Sequence, residues 1–127
     1  MIKYPIKEAF EARNNAYAPY SNFKVGAALL CKDGSVYRGC NIENASYPIT
    51  LCAERAALAS AVSDGRRDFR AIVIVGGDDY CPPCGMCRQA LSEFADSDFE
   101  IVLAKSESEV KVYKMSELLP ESFNLDK

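Results

Sequence analysis

Two short runs carry cysteine at spacings that suit a metal ion: Cys52-Ala53-Glu54-Arg55, and Pro83-Cys84-Gly85-Met86-Cys87-Arg88-Gln89. Residues three apart share one face of a helical turn, so the sulfurs of Cys84 and Cys87 can reach a single ion, with Cys52 as the third ligand. Each run is expected at a helix N-terminus, where unpaired N–H groups and the positive end of the helix dipole favour thiolate over thiol. Glu54, two residues past Cys52, leaves its helix on a different side from the sulfur. That position suits an acid/base beside the ion better than a fourth ligand.

Three chemistries fit these thiols on the residues alone. Cys84-x-x-Cys87 has the spacing of a thioredoxin-like redox pair, although such a pair has no need of Cys52 or Glu54. Cys81-x-x-Cys84 is a second, overlapping spacing, and with Cys52 and Cys87 it makes a closed four-thiolate zinc site of purely structural purpose. Against that, Pro82-Pro83 holds Cys81 in an extended stretch, away from the face shared by Cys84 and Cys87. The third arrangement is open: three thiolates and a water on the ion, with Glu54 moving the water's proton. The chain has no histidine. Ser/His/Asp and Cys/His nucleophile systems and His-Glu-x-x-His zinc helices are therefore excluded, and any general base must be a carboxylate or a thiolate.

At 127 residues and 49% hydrophobic content, the chain is expected to form one domain, residues 1–127, with a single core. Its longest apolar stretches, Val25 to Cys31 and Ala71 to Val75, are the length of strands and far short of a membrane span. Met1-Ile2-Lys3-Tyr4-Pro5 lacks the apolar core of a signal peptide. A soluble cytoplasmic protein is expected, without a membrane partner. In a reducing compartment the six cysteines are expected to serve metal binding or catalysis rather than disulfides, with Cys31 and Cys40 as inert apolar fillers in strands. The net charge of -3 offers no basic footprint for a nucleic acid, so a small neutral or weakly charged substrate is expected.

These residues must be positioned by helices and strands whose periods are legible along the chain. Ile6, Ala9, Phe10, Ala16 and Tyr17 recur at helical spacing, predicting a helix from Pro5 to Tyr17. Phe23 to Cys31 reads as a buried strand, Asp33-Gly34 as a hairpin turn, and Val36 to Ile42 as the returning strand, continuing to place Asn41 and Glu43 on one side. A helix is predicted from Cys52 to Asp64, closed by Gly65, a central strand from Phe69 to Val75, and a third helix from Gly85 to Ala95. Strands near 99–103 and 109–113 and a short helix at 115–119 complete the chain. Helices interleaved with strands after an opening hairpin predict a three-layer α/β/α sandwich with a mixed five-stranded sheet.

Zinc deaminases of nucleobases carry a ligand-x-Glu followed by Pro-Cys-x-x-Cys, with the Glu as acid/base. Cys52-Ala53-Glu54 and Pro83-Cys84-Gly85-Met86-Cys87 match that pattern with cysteine as first ligand. Ala18-Pro19-Tyr20-Ser21-x-Phe23-x-Val25-Gly26-Ala27-Ala28-Leu29 and Arg38-Gly39-Cys40-Asn41-Ile42-Glu43-Asn44-Ala45 add two more blocks in order. Over nearly its whole length the chain resembles the small, all-cysteine cytidine deaminases. The resemblance implies hydrolytic deamination of cytidine and 2'-deoxycytidine to uridine and 2'-deoxyuridine, with release of ammonia. It implies one Zn2+ per subunit on Cys52, Cys84 and Cys87, and Glu54 as the proton carrier. Asn41 and Glu43 would hold the sugar 3'-hydroxyl, and Phe23 and Ala53 would line the substrate. A homotetramer, with pockets completed by neighbouring subunits, would give roles to Tyr20, Tyr47 and Phe123. Three thiolates leave Zn2+ with a formal charge near -1, which Arg55, helped by Arg88, would offset by hydrogen-bonding to sulfur. Two rivals remain: a blasticidin-S-type deaminase, which shares Cys-Ala-Glu and Pro-Cys-Gly-Met-Cys-Arg, and a non-catalytic zinc-stabilised binding module.

Overall fold

The computed structural model describes residues 3–125. Met1, Ile2, Asp126 and Lys127 lie outside the described residues, and with them the first two positions of the stretch read for a leader. The chain runs α1 (Ile6–Arg13), β1 (Val25–Cys31), β2 (Val36–Cys40), a short 3-10 turn (Tyr47–Ile49), α2 (Ala53–Ser63), β3 (Phe69–Gly76), α3 (Gly85–Ser92), β4 (Glu100–Ala104), β5 (Val110–Lys114) and α4 (Met115–Leu118). The strands form one sheet in the order β2-β1-β3-β4-β5. Only β3 and β4 are parallel, and α3 makes the crossover that such a pair needs. No helix is long and apolar enough to cross a membrane among the described residues.

Because side chains alternate along a strand, the apolar runs of β1, β3 and β4 feed two cores. Ala27, Leu29, Ile72, Ile74, Ile101 and Leu103 face α2 and α3, joined by Ala53, Ala57, Leu58, Ala61 and Leu91. Ala28, Val73, Val75 and Val102 face α1 through Ala9, with Phe10 and Ile6 at the margin. Met115 and Leu118 of α4 pack on the α2/α3 side. The expected α/β/α sandwich is therefore present, with α1 the one helix on its face among the described residues.

Two glycines set how closely the helices approach. A Cβ on Gly26 would stand 2.1 Å from the Ala9 carbonyl oxygen of α1. A Cβ on Gly39 would stand 2.4 Å from both the Ala53 carbonyl oxygen and the Ala57 nitrogen of α2. Without side chains there, and with Ala53, Ala57 and Ala61 turned inward, α2 lies almost backbone to backbone on β2.

Element ends differ from the sequence expectation in ways that matter for the site. The first helix stops at Arg13, not Tyr17, because the Tyr17 N–H is taken by the Asn41 carbonyl, 3.0 Å away. The returning strand stops at Cys40 instead of Ile42. Beyond it the Glu43 N–H bonds to the Tyr17 carbonyl, while Ile42 and Leu51 exchange both of their backbone hydrogen bonds. Tertiary partners have replaced the local pattern at both places. The third helix ends at Ser92, short of Ala95, and β1 begins at Val25, after Phe23.

Candidate metal centre

Cys52 is the N-cap of α2 and Cys84 the N-cap of α3, and neither side chain makes a capping hydrogen bond. Both sulfurs thus stand at the positive ends of helix dipoles without being spent on capping their own helices. Cys87 lies in the first turn of α3 and is fully buried. The three sulfurs lie within 4.8 Å of one another, with Cys52 to Cys84 at 3.9 Å and Cys84 to Cys87 at 3.5 Å. Sulfurs at about 2.3 Å from a tetrahedral zinc stand roughly 3.8 Å apart. The spacing and the all-thiolate chemistry therefore fit Zn2+.

Cys81 is not part of this group among the described residues. Its sulfur instead lies beside Gly76, 3.0 Å from where a Cβ would project. Three thiols would leave one position of a tetrahedral ion open, the arrangement of a reactive site and not of a closed structural one. Burial pushes the Cys81 thiol up, reinforced by Glu54 and Cys52 nearby.

Electrostatics around the sulfurs divide into one acceptor and one cation. Hydrogen bonds from Cys87, Arg55 and Cys84 favour the Cys52 thiolate, and Cys87 is pushed upward in turn by sharing that bond with Cys52. Arg55 donates from Nη2 to the Cys52 sulfur at 3.5 Å, and its guanidinium also engages Cys87. Its Nε is buried with no hydrogen-bond partner, a leftover donor beside an anionic cluster. Arg88, expected to help it, is turned the other way. It donates from Nε to the Pro83 carbonyl at 2.9 Å and from Nη1 to the Leu118 carbonyl at 2.8 Å, bracing the ligand-bearing turn against α4.

Glu54 is the one buried charged residue among those described, 4% exposed, and its carboxyl reaches the Cys87 thiol. Burial raises it to about 7, with the Cys52 thiolate adding to the effect. A carboxyl at that value exchanges protons with water near neutrality. Ala53, between Cys52 and Glu54, is fully buried in the first turn of α2.

The Ile42–Leu51 bridge carries Asn41 and Glu43 to the metal centre, since Cys52 follows Leu51 directly. Both side chains are already engaged with the segment between α1 and β1. Asn41 accepts from the Val25 N–H at 2.9 Å and donates to the Phe23 carbonyl at 2.8 Å. Glu43 accepts from the Tyr20 N–H at 2.9 Å and the Ser21 N–H at 3.1 Å on one oxygen, and from the Ser21 hydroxyl on the other. The Ser21 hydroxyl leads the donors that hold this carboxyl below its usual range. One Asn41 amide hydrogen and part of the Glu43 acceptor capacity stay free. The Phe23 ring lies against Gly77, where a Cβ would come within 2.9 Å of Cε1.

Tyr20, Ser21, Glu43, Tyr47 and Thr50 line an open cavity of about 370 Å3. Tyr20 and Tyr47 are 55% and 77% exposed. Phe123 is 67% exposed and apart from that cavity; only its carbonyl is anchored, by Gln89 Nε2 at 3.0 Å. Ser21 joins the site through a contact that spacing alone does not reveal, although a serine two residues before Phe23 is a recognisable side-chain-to-backbone turn signal.

The family model described as the cytidine and deoxycytidylate deaminase zinc-binding region matches residues 2–103. A cytidine deaminase of Halalkalibacterium halodurans is 52% identical over 122 residues, covering 95% of this chain and 92% of its own. A solved cytidine deaminase from Burkholderia pseudomallei superposes with a TM-score of 0.87 at 50% identity, covering 93% of this chain and 95% of that one. A blasticidin-S deaminase of Bacillus cereus is more distant, 36% identical over 76% of this chain and 74% of its own. A match across most of the chain, embracing both cysteine runs and the carboxyl beside them, makes this chain a member of the zinc-binding cytidine and deoxycytidylate deaminases.

Proposed function

We propose that the chain hydrolytically deaminates cytidine and 2'-deoxycytidine to uridine and 2'-deoxyuridine, releasing ammonia, in the salvage of pyrimidine nucleosides in the cytoplasm. The observation that carries the reading is a buried carboxyl, Glu54, beside three sulfurs that would leave one position of a tetrahedral ion open. Cys52, Cys84 and Cys87 would hold a zinc ion, which would supply Lewis acidity and lower the pKa of a water at that position. Glu54 takes a proton from the attacking water and delivers it to ring N3 as the C4–O bond forms. It then takes the remaining proton from the new C4 hydroxyl and passes it to the amino group, which leaves as ammonia as the C4–N bond breaks and the C4 carbonyl forms, N3 keeping its proton. One carboxyl serves both transfers, which agrees with a chain that has no histidine. Arg55 offsets the excess negative charge of three thiolates, so the ion's acidity is not spent on its own ligands.

Phe23 packs beside the pyrimidine, and Ala53, whose side chain is buried in the core, meets it through its backbone. The free Asn41 amide hydrogen and the remaining Glu43 acceptor site together accommodate one hydroxyl as acceptor and donor, the 3'-hydroxyl of the sugar. Homotetramerisation accounts for the exposed aromatics Tyr20, Tyr47 and Phe123 and for the small outer face of α2, where Ala59, Ser60 and Ser63 are exposed. The blasticidin-S reading has lower identity and coverage, and a non-catalytic module would have no use for Glu54.

The test is an ultraviolet assay on the purified, zinc-loaded chain with light scattering on the same preparation. Cytidine absorbance should shift to that of uridine, free cytosine should react far more slowly, and the active species should be a tetramer. Unchanged cytidine absorbance would leave only a binding module; equal kcat/KM for cytosine and cytidine would remove the sugar roles of Asn41 and Glu43.

A further inference from the structure

Between α1 and β1 the chain forms no helix or strand, yet it carries Tyr20 and Ser21 to the wall of the cavity that Glu43 also lines, with Phe23 two residues further on. Its shape depends on side-chain bonds. Asn22 sits in the left-handed region, at φ 58°, with its N–H on the Ala18 carbonyl. At its centre the Ser21 hydroxyl makes two bonds at once. It donates to one Glu43 oxygen and accepts the Phe23 N–H at 3.0 Å. The other Glu43 oxygen is held by the N–H groups of Tyr20 and Ser21.

We propose that Ser21 is a positioning residue that locks the orientation of the Glu43 carboxylate to the placement of Phe23, and so sets discrimination for the sugar hydroxyl. The proposal rests on the reading above in which Glu43 accepts that hydroxyl's hydrogen bond. Two backbone donors on one oxygen leave a carboxylate free to pivot about that oxygen. The Ser21 hydroxyl on the second oxygen removes that freedom and directs the remaining acceptor site into the cavity that Tyr20, Tyr47 and Thr50 share. The same hydroxyl satisfies the Phe23 N–H, so the residue beside the base and the carboxylate beside the sugar move together. Phe23 is closed in from the other side by Gly77, whose carbonyl accepts from Arg13 Nη1 at 3.0 Å. An alanine at 21 keeps both backbone bonds to Glu43 and loses the two made by the hydroxyl, one to Glu43 and one from the Phe23 N–H.

The experiment compares the zinc-loaded parent, Ser21→Ala, Ser21→Thr and Glu43→Gln on cytidine and on 3'-deoxycytidine, with zinc content and melting temperature recorded for each. Losing the hydroxyl's bond to the Glu43 carboxylate, together with the bond it accepts from the Phe23 N–H, should raise the Ser21→Ala KM for cytidine about tenfold, with kcat within about twofold. The ratio of kcat/KM between cytidine and 3'-deoxycytidine should fall by a similar factor. Ser21→Thr, which keeps the hydroxyl, should restore both. A Ser21→Ala protein that loses both substrates equally, with the ratio preserved, overturns the proposal, since a merely structural defect does not distinguish the sugars. If Glu43→Gln lowers the ratio while Ser21→Ala does not, the proposal alone fails. If Glu43→Gln leaves the ratio at the parent value, the sugar reading fails and the proposal with it.

Discussion

Glu54 shows how one residue's environment makes its chemistry. A carboxyl on the first turn of a surface helix would ionise near pH 4 and do little more than favour the dipole. Here α2 is turned so that Glu54 is buried against the sulfurs, and desolvation raises it to about 7. Glu54→Gln keeps the size and one hydrogen-bonding oxygen but neither accepts nor carries a proton. Its kcat should fall by at least about 10²- to 10⁴-fold, while zinc content and melting temperature stay near the parent's. Parent-rate deamination would overturn the proton-carrier role, and zinc loss would make Glu54 a ligand. At the same scale, the expected sulfur partnership of Arg55 has the contact to support it. Arg88, five positions past Pro83, spends its donors on carbonyls that only the folded chain brings near.

At the scale of elements, the metal centre depends on where two helices begin. Cys52 and Cys84 are N-caps from segments 32 residues apart in sequence, and the sheet brings them to 3.9 Å. Gly39 is the seat for α2. In Gly39→Ala, the new Cβ meets two backbone atoms of α2 at 2.4 Å, the Ala53 oxygen and the Ala57 nitrogen, and the three nearest atoms are all backbone. The helix must shift, at a cost toward the upper end of the ~1–3 kcal/mol seen for overpacking. A fall in melting temperature of about 10 °C is expected for a chain of this length. Cys52 and Glu54 move with the helix, so a chelator should strip zinc faster from the variant. Unchanged melting and unchanged zinc release would show that α2 does not need this close seat.

Over the whole molecule, the opening segment is tied across the sheet through Glu100. Tyr4 donates to Glu100 at 2.7 Å, Arg70 of β3 pairs with it at 3.0 Å, and Lys114 of β5 stands at 3.9 Å. Burial pushes the Glu100 carboxyl up, but the Tyr4 hydroxyl and the two cations outweigh it and hold it below its usual range. A depressed carboxyl contributes stability that is present above its unfolded value, about 4.3, and is lost as pH falls through the folded value. Tyr4, raised to about 12 by burial and by Glu100, works in the opposite direction and loses its share only in strong alkali. Melting temperature should therefore decline on the acid side less steeply in Glu100→Gln than in the parent, from a lower starting value at neutral pH. Parallel acid limbs for the two proteins would show that this cluster carries no proton-linked stability.

Local chemistry was legible from residue types and spacing. Period-two and period-3.6 patterns identify strands and helices, an Asp-Gly pair marks the hairpin turn, and the two cysteine runs with Glu54 define a metal-and-carboxyl set, because each is a property of neighbours a few residues apart. Tertiary structure decided what depends on distant partners. Cys81 overlaps the ligand spacing, yet its sulfur packs toward Gly76 outside the group of three, which no local pattern distinguishes. Tyr17 leaves its helix and Ile42 its strand because each finds backbone partners across the fold. Ser21 becomes a link between Glu43 and Phe23 only when residues 21 and 43 meet. Hydrogen bonds between residues far apart in sequence have geometries set by the packing of whole elements, and a chain read residue by residue carries the donors and acceptors but not their pairing.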